Sequence, residues 1–167
     1  MRSEPLVPWV PTPEDILDEI ADLLELDEKS VFIDLGAGDG RVAIAIAKRG
    51  VFSIALEIDL INCIIARDQA KVNNVLVDVV RGDFKTFPLH RINRVFMYLY
   101  KSIQDELKEK LANELPDGTR IVTLDFPIPG WIPVKVRRCN TSSGVIRTLY
   151  LYIKGVSEKE RQWWSIK

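Results

Sequence analysis

Apolar and polar positions follow two alternating spacings along most of the chain. Short continuous apolar runs, typical of buried strands, predict strands at residues 31–35, 52–57, 77–81, 94–99 and 120–125. Apolar side chains at intervals of three or four residues predict helices from residue 13 to 24, at 41–48 and 60–72, and from residue 102 onward, where Ser102 has the position of an N-cap. Strands that alternate with helices indicate an α/β fold, in which helices cover both faces of a parallel sheet.

The two ends of the chain differ from this pattern. Residues 134–138 and 145–154 are strand-like runs separated by turn formers, and they predict a terminal antiparallel hairpin. Four of the nine prolines lie in residues 5–13, where Thr12 has the position of a helix N-cap. The sequence predicts three parts: a proline-rich lead at 1–12, one domain at 13–155 and a tail at 156–167. Trp163 and Trp164 of the tail are expected to contact either a partner or the sheet of their own chain.

Composition narrows the functional class. With 167 residues, 47% hydrophobic content and a net charge of -1, the chain has enough apolar sequence for one folded domain and too little charge for a disordered one. The near-neutral net charge does not favour a nucleic-acid binder. Arg137, Arg138 and Arg147 of the terminal hairpin are expected in a small basic rim or on solvated strand faces. No apolar run approaches the ~20 residues of a membrane span, and no secretion signal precedes the prolines. The two cysteines, Cys63 and Cys139, indicate structural thiols in the cytoplasm, and no metal site is predicted.

Acidic residues follow three of the predicted strands. Asp34 ends the first strand in the segment Asp34-Leu-Gly-Ala-Gly-Asp-Gly40, Glu57 ends the second and Asp83 follows the third. In an open α/β sheet, ligands bind at the carboxyl ends of the strands. The sequence therefore predicts one site that gathers these three carboxylates.

The glycine spacing selects the ligand of this site. Gly36, Gly38 and Gly40 form G-x-G-x-G, whereas the dinucleotide fingerprint is G-x-G-x-x-G. Asp34 beside this turn disfavours a pyrophosphate and favours a ligand with an ammonium group. Glu57 can accept hydrogen bonds from ribose hydroxyls, and Asp83 can accept one from an adenine amine. An adenosine with a cationic amino-acid arm is S-adenosylmethionine.

These residues resemble the successive cofactor motifs of class I S-adenosylmethionine-dependent methyltransferases. The resemblance implies a three-layer Rossmann-like fold with a seven-stranded sheet, order 3-2-1-4-5-7-6, and strand 7 antiparallel. The chain also looks like the archaeal protein-lysine methyltransferases and their mitochondrial relatives. The segments that carry this narrower resemblance are residues 10–14, 39–41, 107–111, 116–122 and 125–131.

The resemblance implies a role for individual residues. Asp34, Gly36 and Gly38 are expected around the methionine arm, Glu57 at the ribose, and Asp83 and Phe84 at the adenine. The Pro11-Thr12 segment is expected to cover the cofactor, with Thr12 at its carboxylate. The catalytic candidates are Tyr98, which orients the acceptor amine, and Asp125, which supports it at the rim of the acceptor channel.

The predicted reaction is methyl transfer from S-adenosylmethionine to lysine side chains of a broad range of protein partners. A lysine of pKa ~10.4 must lose its proton first, which at pH 7 amounts to roughly 4–5 kcal/mol. An apolar channel beside the sulfonium can supply this free energy, so no strong general base is required. The alternatives are a methyltransferase for RNA or a small metabolite, and a non-catalytic module that binds a nucleotide such as NAD. The oligomeric state is not determined by the sequence.

Overall fold

The computed structural model describes residues 9–158, which form one α/β unit. A 3-10 turn at Glu14–Ile16 precedes the first helix. The helices are α1 (Leu17–Leu24), α2 (Arg41–Ala47), α3 (Leu60–Val72) and α4 (Lys101–Glu114). The strands are β1 (Val31–Leu35), β2 (Phe52–Glu57), β3 (Asp78–Arg81), β4 (Arg94–Met97), β5 (Arg120–Leu124), β6 (Lys135–Asn140) and β7 (Ile146–Ile153).

The seven strands form one sheet in the order β3-β2-β1-β4-β5-β7-β6. The first five strands pair in parallel, and β7 runs antiparallel to both β5 and β6. Both the predicted strand order and the terminal hairpin are confirmed. The order reverses at β1, so the carboxyl ends of β1, β2 and β4 meet where ligands bind in such sheets.

Two apolar layers cover the sheet, because successive side chains of a strand point to opposite faces. On β1, Phe32 belongs to the layer that contains Ile20 of α1, whereas its neighbour Ile33 belongs to the layer that contains Leu107 of α4. All four of these side chains are almost completely buried. This packing on both faces explains why the strands appear in the sequence as continuous apolar runs rather than as alternating ones.

Several predicted boundaries are corrected. Thr12 is not the N-cap of a helix: Pro13 precedes the 3-10 turn, and no side chain caps it. The last helix begins at Lys101 with Tyr100 as its cap residue, so the predicted cap Ser102 lies inside its first turn. Strand β4 ends at Met97 instead of residue 99 and β5 ends at Leu124. The two candidate acceptor residues, Tyr98 and Asp125, therefore both lie in the first position beyond a strand.

Other predictions concern the chain termini and the cysteines. Cys63 and Cys139 are buried free thiols. The fold continues past the predicted boundary at 155, because Ser157 is buried and its carbonyl accepts a hydrogen bond from the N–H of Ile132. Trp163 and Trp164 lie outside the described residues. Within residues 9–158, no helix has the length and apolar character to cross a membrane, and no group of His, Cys, Asp and Glu is arranged to hold a metal ion.

Candidate functional site

A cavity of about 680 Å³ opens at the carboxyl ends of β1, β2 and β4. It brings together seven of the predicted site residues: Thr12, Asp34, Gly36, Glu57, Asp83, Phe84 and Tyr98. The remaining two, Gly38 and Asp125, lie directly behind this lining and contact it through hydrogen bonds. The structure thus gathers the predicted site residues at one edge of the sheet, where the rule for parallel strands expects a ligand.

Asp34 is a buried acid that faces the cavity from the end of β1. Its side chain is 3% exposed, and no residue of the described part of the chain donates a hydrogen bond to its carboxylate. Burial, followed by the charges of Glu57 and Asp39, raises the pKa of Asp34 well above its usual value. An acid held in this way is stabilised by a cationic group of a ligand, which supplies the missing charge and hydrogen bonds.

The glycine turn between β1 and α2 gives a ligand access to the backbone. Gly36 and Gly38 have φ angles of 84° and 55°, a region that glycine adopts without strain. A Cβ atom at Gly38 would lie 1.9 Å from Nε1 of Trp9, whose indole lies across the turn and lines the cavity. The lead segment thus reaches over the glycine turn through Trp9.

Arg41 fastens the lead segment to this turn. Its guanidinium forms an ion pair with Asp39 at 2.7 Å, and its Nη1 donates to the backbone carbonyl of Thr12 at 3.1 Å. Gly40, which precedes Arg41, serves packing, because a Cβ there would lie 2.9 Å from the Cβ of Ala66 on α3. The third glycine therefore belongs to helix packing, and Arg41 holds Thr12 at the edge of the cavity.

Glu57 and Asp83 present carboxylate oxygens at the next two strand ends. Oε2 of Glu57 accepts the Gly38 N–H at 2.7 Å, and its Oε1 accepts the Asp59 N–H at 2.9 Å. Oδ1 of Asp83 accepts the Lys85 N–H at 2.8 Å. Since each carboxylate oxygen can accept two hydrogen bonds, both acids keep acceptor capacity for a ligand. Phe84 adds an apolar face to this end of the cavity.

The other end of the cavity has aromatic walls. Tyr98, Tyr100 and Phe126 line it, and the ring of Phe126 lies 5.4 Å from that of Tyr100 and 6.4 Å from that of Tyr98. Gln104 of α4 is completely buried and donates to the carbonyls of Leu99 and Phe126 at 2.8 and 3.0 Å. This side chain ties the loop after β4 to the loop after β5, so the aromatic wall is held from behind.

Asp125 stands behind Tyr98 instead of lining the cavity. Its Oδ2 accepts a hydrogen bond from the Tyr98 hydroxyl at 3.4 Å and forms an ion pair with Nη1 of Arg147 at 2.5 Å. Burial raises the pKa of Tyr98; Arg147 opposes this increase and Asp125 adds to it. Tyr98 is therefore a protonated phenol at neutral pH.

The cavity fits S-adenosylmethionine. The unpartnered Asp34 suits the ammonium group of the methionine arm, the acceptor oxygens of Glu57 suit ribose hydroxyls, and Asp83 with Phe84 suits adenine. With the ligand bound in this way, the aromatic end would face the sulfonium, which would supply an electrophilic methyl group. In this arrangement the residues of the chain have to bind, orient and desolvate, and none has to activate the methyl group.

Four residues of the site were not identified from the sequence. Trp9 and Arg41 were within segments assigned to the site, yet no spacing rule marks a tryptophan or an arginine as a cover. Gln104 lies on a helix whose apolar positions alone were used. Arg147 was expected in a basic rim with Arg137 and Arg138, but Arg147 pairs with Asp125 and Arg137 pairs with Glu19. Such pairings join residues distant in the sequence, so local patterns do not reveal them.

Comparisons with known proteins agree on one family. The sequence profile of the ANTKMT methyltransferase domain matches residues 34–135. A protein-lysine N-methyltransferase of Saccharolobus islandicus (strain REY15A) is 32% identical over 159 residues, which cover 93% of this chain and 98% of that protein. The adenine nucleotide translocase lysine N-methyltransferase of Mus musculus is 31% identical over 133 residues, which cover 78% of this chain and 58% of the mouse protein.

A solved structure matches the fold closely. The crystal structure of an RNA methyltransferase from Salinibacter ruber, in complex with S-adenosyl-L-homocysteine, superposes with a TM-score of 0.79 at 31% sequence identity. The match covers 92% of this chain and 97% of that one. The bound molecule in that structure is the demethylated form of the ligand to which the cavity described above is suited.

Proposed function

Because the chain belongs to the ANTKMT methyltransferase domain family, and is thus an S-adenosylmethionine-dependent methyltransferase, we propose that it methylates lysine side chains of proteins. The observation that carries the proposal is the 32% identity to a protein-lysine N-methyltransferase over 98% of that protein's length. Agreement over the whole length includes the acceptor end as well as the cofactor end.

At the cofactor end, we propose that the residues hold the methionine arm and the nucleoside in fixed positions. Asp34 binds the ammonium group, Glu57 the ribose hydroxyls, and Asp83 and Phe84 the adenine ring. Gly36 and Gly38 let the backbone approach the methionine arm, and Thr12 contacts the carboxylate of that arm. Trp9 covers the glycine turn. Fixed alignment of acceptor, methyl and sulfur is the main source of catalysis in such a transfer, since it removes the entropy cost of bringing the reactants together.

At the acceptor end, the lysine must arrive as a neutral amine. The aromatic walls formed by Tyr98, Tyr100 and Phe126 exclude water, and the sulfonium adds like-charge repulsion. Both effects lower the pKa of an ammonium group. The Tyr98 hydroxyl then accepts a hydrogen bond from the amine and directs the nitrogen lone pair toward the methyl group. Asp125 acts through Tyr98, as a positioning residue.

RNA is the second candidate acceptor, because the Salinibacter ruber structure at 31% identity is described as an RNA methyltransferase. An RNA-binding surface is expected to carry a basic stripe. This chain has a net charge of -1, and Arg137 and Arg147 of the terminal hairpin are paired with acidic residues. These charges favour a protein acceptor over RNA.

The test is transfer of labelled methyl from S-adenosylmethionine into a cell lysate, followed by separate protease and nuclease digestion. The proposal predicts label that protease releases and nuclease does not. Label in the nuclease-sensitive fraction would show that the acceptor is a nucleic acid instead of a protein, and the proposed cofactor site would be unaffected. The purified enzyme alone, assayed in parallel, measures methylation of its own lysines. The cytoplasmic location stays a prediction from the sequence.

A further inference from the structure

Arg147 of β7 contacts the residues that directly follow β4 and β5, the two strands whose loops form the aromatic wall. From β7 its Nη1 reaches Oδ2 of Asp125 at 2.5 Å and the hydroxyl of Tyr98 at 3.3 Å, and its guanidinium carbon lies 5.9 Å from the centre of the Tyr98 ring. The Arg147 side chain is 22% exposed and that of Asp125 is 21% exposed, so the pair is partly shielded from water. Neither residue lines the cavity; only Tyr98 does.

The backbone holds Asp125 rigidly in this arrangement. Its φ angle is 60°, a left-handed conformation that is uncommon for residues other than glycine, asparagine and aspartate. Its N–H donates to the Thr148 carbonyl at 2.7 Å, and its Oδ1 accepts the Thr148 N–H at 3.1 Å. The carboxylate is thus fixed to β7 on one side and presents Oδ2 to Tyr98 and Arg147 on the other.

We propose that Arg147 is a positioning residue of the methyl transfer, which orients the Tyr98 hydroxyl and offsets the charge of Asp125 so that the acceptor amine arrives uncharged. The inference deepens the proposed function and rests on it. It assigns a role in the reaction to a residue of the terminal hairpin, which otherwise contributes only to the sheet.

The orientation follows from hydrogen-bond capacity. A phenol donates one hydrogen bond and accepts two. The Tyr98 hydroxyl donates to Asp125 and accepts from Arg147, so one lone pair is left for an N–H of the incoming amine. The amine can then donate to Tyr98 while its own lone pair points elsewhere, which is what attack on a methyl group requires.

The charge argument concerns Asp125. A carboxylate near an amine in a partly desolvated site favours the ammonium form through Coulomb attraction. The amine would then keep its proton and lose its nucleophilic lone pair. The positive charge of Arg147 beside Asp125 cancels this effect.

Other titratable groups near the cluster are already paired or uncharged. Cys139 lies opposite Arg147 on β6 and is a buried neutral thiol. Helix α1, which packs against β5 and β7, contributes Glu19 and Asp22, and both lie within 4 Å of Arg137. The electrostatic environment of the Tyr98 hydroxyl is therefore set by the opposite charges of Asp125 and Arg147.

The experiment measures kcat against pH with saturating S-adenosylmethionine. The acceptor is the lysate protein that the wild-type enzyme labels most strongly, purified. The acid limb of kcat reports ionisation in the enzyme–acceptor complex. Arg147→Gln is compared with Arg138→Gln, which removes the same charge from an exposed position of β6 that has no ion pair among the described residues. Titration with S-adenosylhomocysteine checks that every variant is folded.

The proposal predicts opposite shifts for the two partners. Arg147→Gln moves the midpoint of the acid limb to higher pH and lowers kcat about tenfold at pH 7, which corresponds to about one pKa unit. Asp125→Asn, which tolerates the left-handed backbone, leaves Arg147 unopposed and moves the midpoint to lower pH. The double variant and Arg147→Lys return the midpoint to the wild-type position, and Arg138→Gln leaves it there.

An unchanged midpoint in Arg147→Gln, or a shift of equal sign in Arg147→Gln and Asp125→Asn, would overturn the role of Arg147. If Arg147→Gln does not fold, the Asp125→Asn shift alone decides: a midpoint at lower pH supports the proposal, and any other position refutes it. Failure of the proposed function is distinguishable, because the wild-type enzyme would then label no protein lysine.

Discussion

The backbone N–H of Gly38 donates a hydrogen bond of 2.7 Å to Oε2 of Glu57. This bond joins the glycine turn after β1 to the end of β2, and Glu57 is only 8% exposed. The residue expected to bind the ribose is therefore also the residue that fixes the turn around the methionine arm. Two motifs 19 residues apart in the sequence act as one unit.

Glu57→Gln tests this coupling. The substitution removes the charge and places an NH₂ group opposite one of two N–H donors, those of Gly38 and Asp59. We expect the affinity for S-adenosylhomocysteine to fall by about 10- to 100-fold, and the free energy of unfolding to fall by about 1–3 kcal/mol. Calorimetric titration and urea denaturation measure the two effects. Glu109→Gln, at an exposed position of α4, serves as the control, and equal behaviour of the two variants would contradict the coupling.

Asp34→Asn is expected to separate ligand binding from stability. Loss of the charge should weaken S-adenosylhomocysteine binding by about 10- to 100-fold, because a hydrogen bond to a charged group contributes about 1.5–3 kcal/mol. The ligand-free protein should become more stable, since the substitution removes a buried carboxylate that has no hydrogen-bond donor among the described residues. A variant that loses both affinity and stability would indicate a structural role for Asp34.

The pH dependence of stability follows from the raised pKa of Asp34. Between the unfolded value of about 3.9 and the higher pKa in the folded protein, the folded state binds more protons than the unfolded state. The contribution of Asp34 to stability therefore falls as pH rises through this window. Urea denaturation of the ligand-free wild type and Asp34→Asn should converge at low pH and diverge as pH rises. A constant difference would contradict the shifted pKa.

Trp9 is expected to report and support cofactor binding, because its indole lies against Gly38 and lines the cavity. Addition of S-adenosylhomocysteine should change the tryptophan fluorescence of the wild-type protein, and Trp9→Phe should lose this change. Trp131→Phe is the matched control, since Trp131 packs edge-on against Tyr152, whose ring centre is 6.2 Å away. A full fluorescence change in Trp9→Phe would show that the indole does not sense the ligand.

Tyr98→Phe should affect the chemical step and leave cofactor binding intact. Removal of the hydroxyl deletes the group that orients the amine, and kcat should fall about tenfold, the equivalent of one hydrogen bond. The Kd for S-adenosylhomocysteine should stay within about twofold of the wild-type value. Tyr150→Phe, a half-buried tyrosine of β7, controls for loss of a hydroxyl. Unchanged turnover in Tyr98→Phe would remove Tyr98 from the mechanism.

The fold could be predicted from the sequence because its signals are local. Continuous apolar runs such as Val31–Leu35 mark strands that are buried on both faces, and Asp34 and the glycines mark the turn that follows. Strand order and the antiparallel β7 came from the family resemblance, and the pairing of β5 with β7 confirms them. Errors were confined to element ends such as Thr12 and Ser102, where tertiary contacts decide where a helix begins.

The parts of the site that escaped prediction depend on long-range contacts. Arg147 and Asp125 are 22 residues apart, and Arg41 and Thr12 are 29 residues apart. An arginine in a strand has the same local pattern whether it is solvated or paired, so the sequence placed Arg147 only in a basic rim or on a solvated strand face. Asp125 was expected to support the amine at the rim of the acceptor channel, and the structure places it behind Tyr98, outside the lining of the cavity.

Identification of the methylated atom tests the central claim most directly. Proteins labelled by the wild-type enzyme with S-adenosylmethionine at a subsaturating concentration would be hydrolysed to amino acids and separated, with Asp34→Asn as the control of weakened cofactor affinity. A protein-lysine methyltransferase predicts that the label co-elutes with Nε-methylated lysine and is strongly reduced with Asp34→Asn. Label recovered in methylated nucleosides, or in an amino acid other than lysine, would contradict the claim.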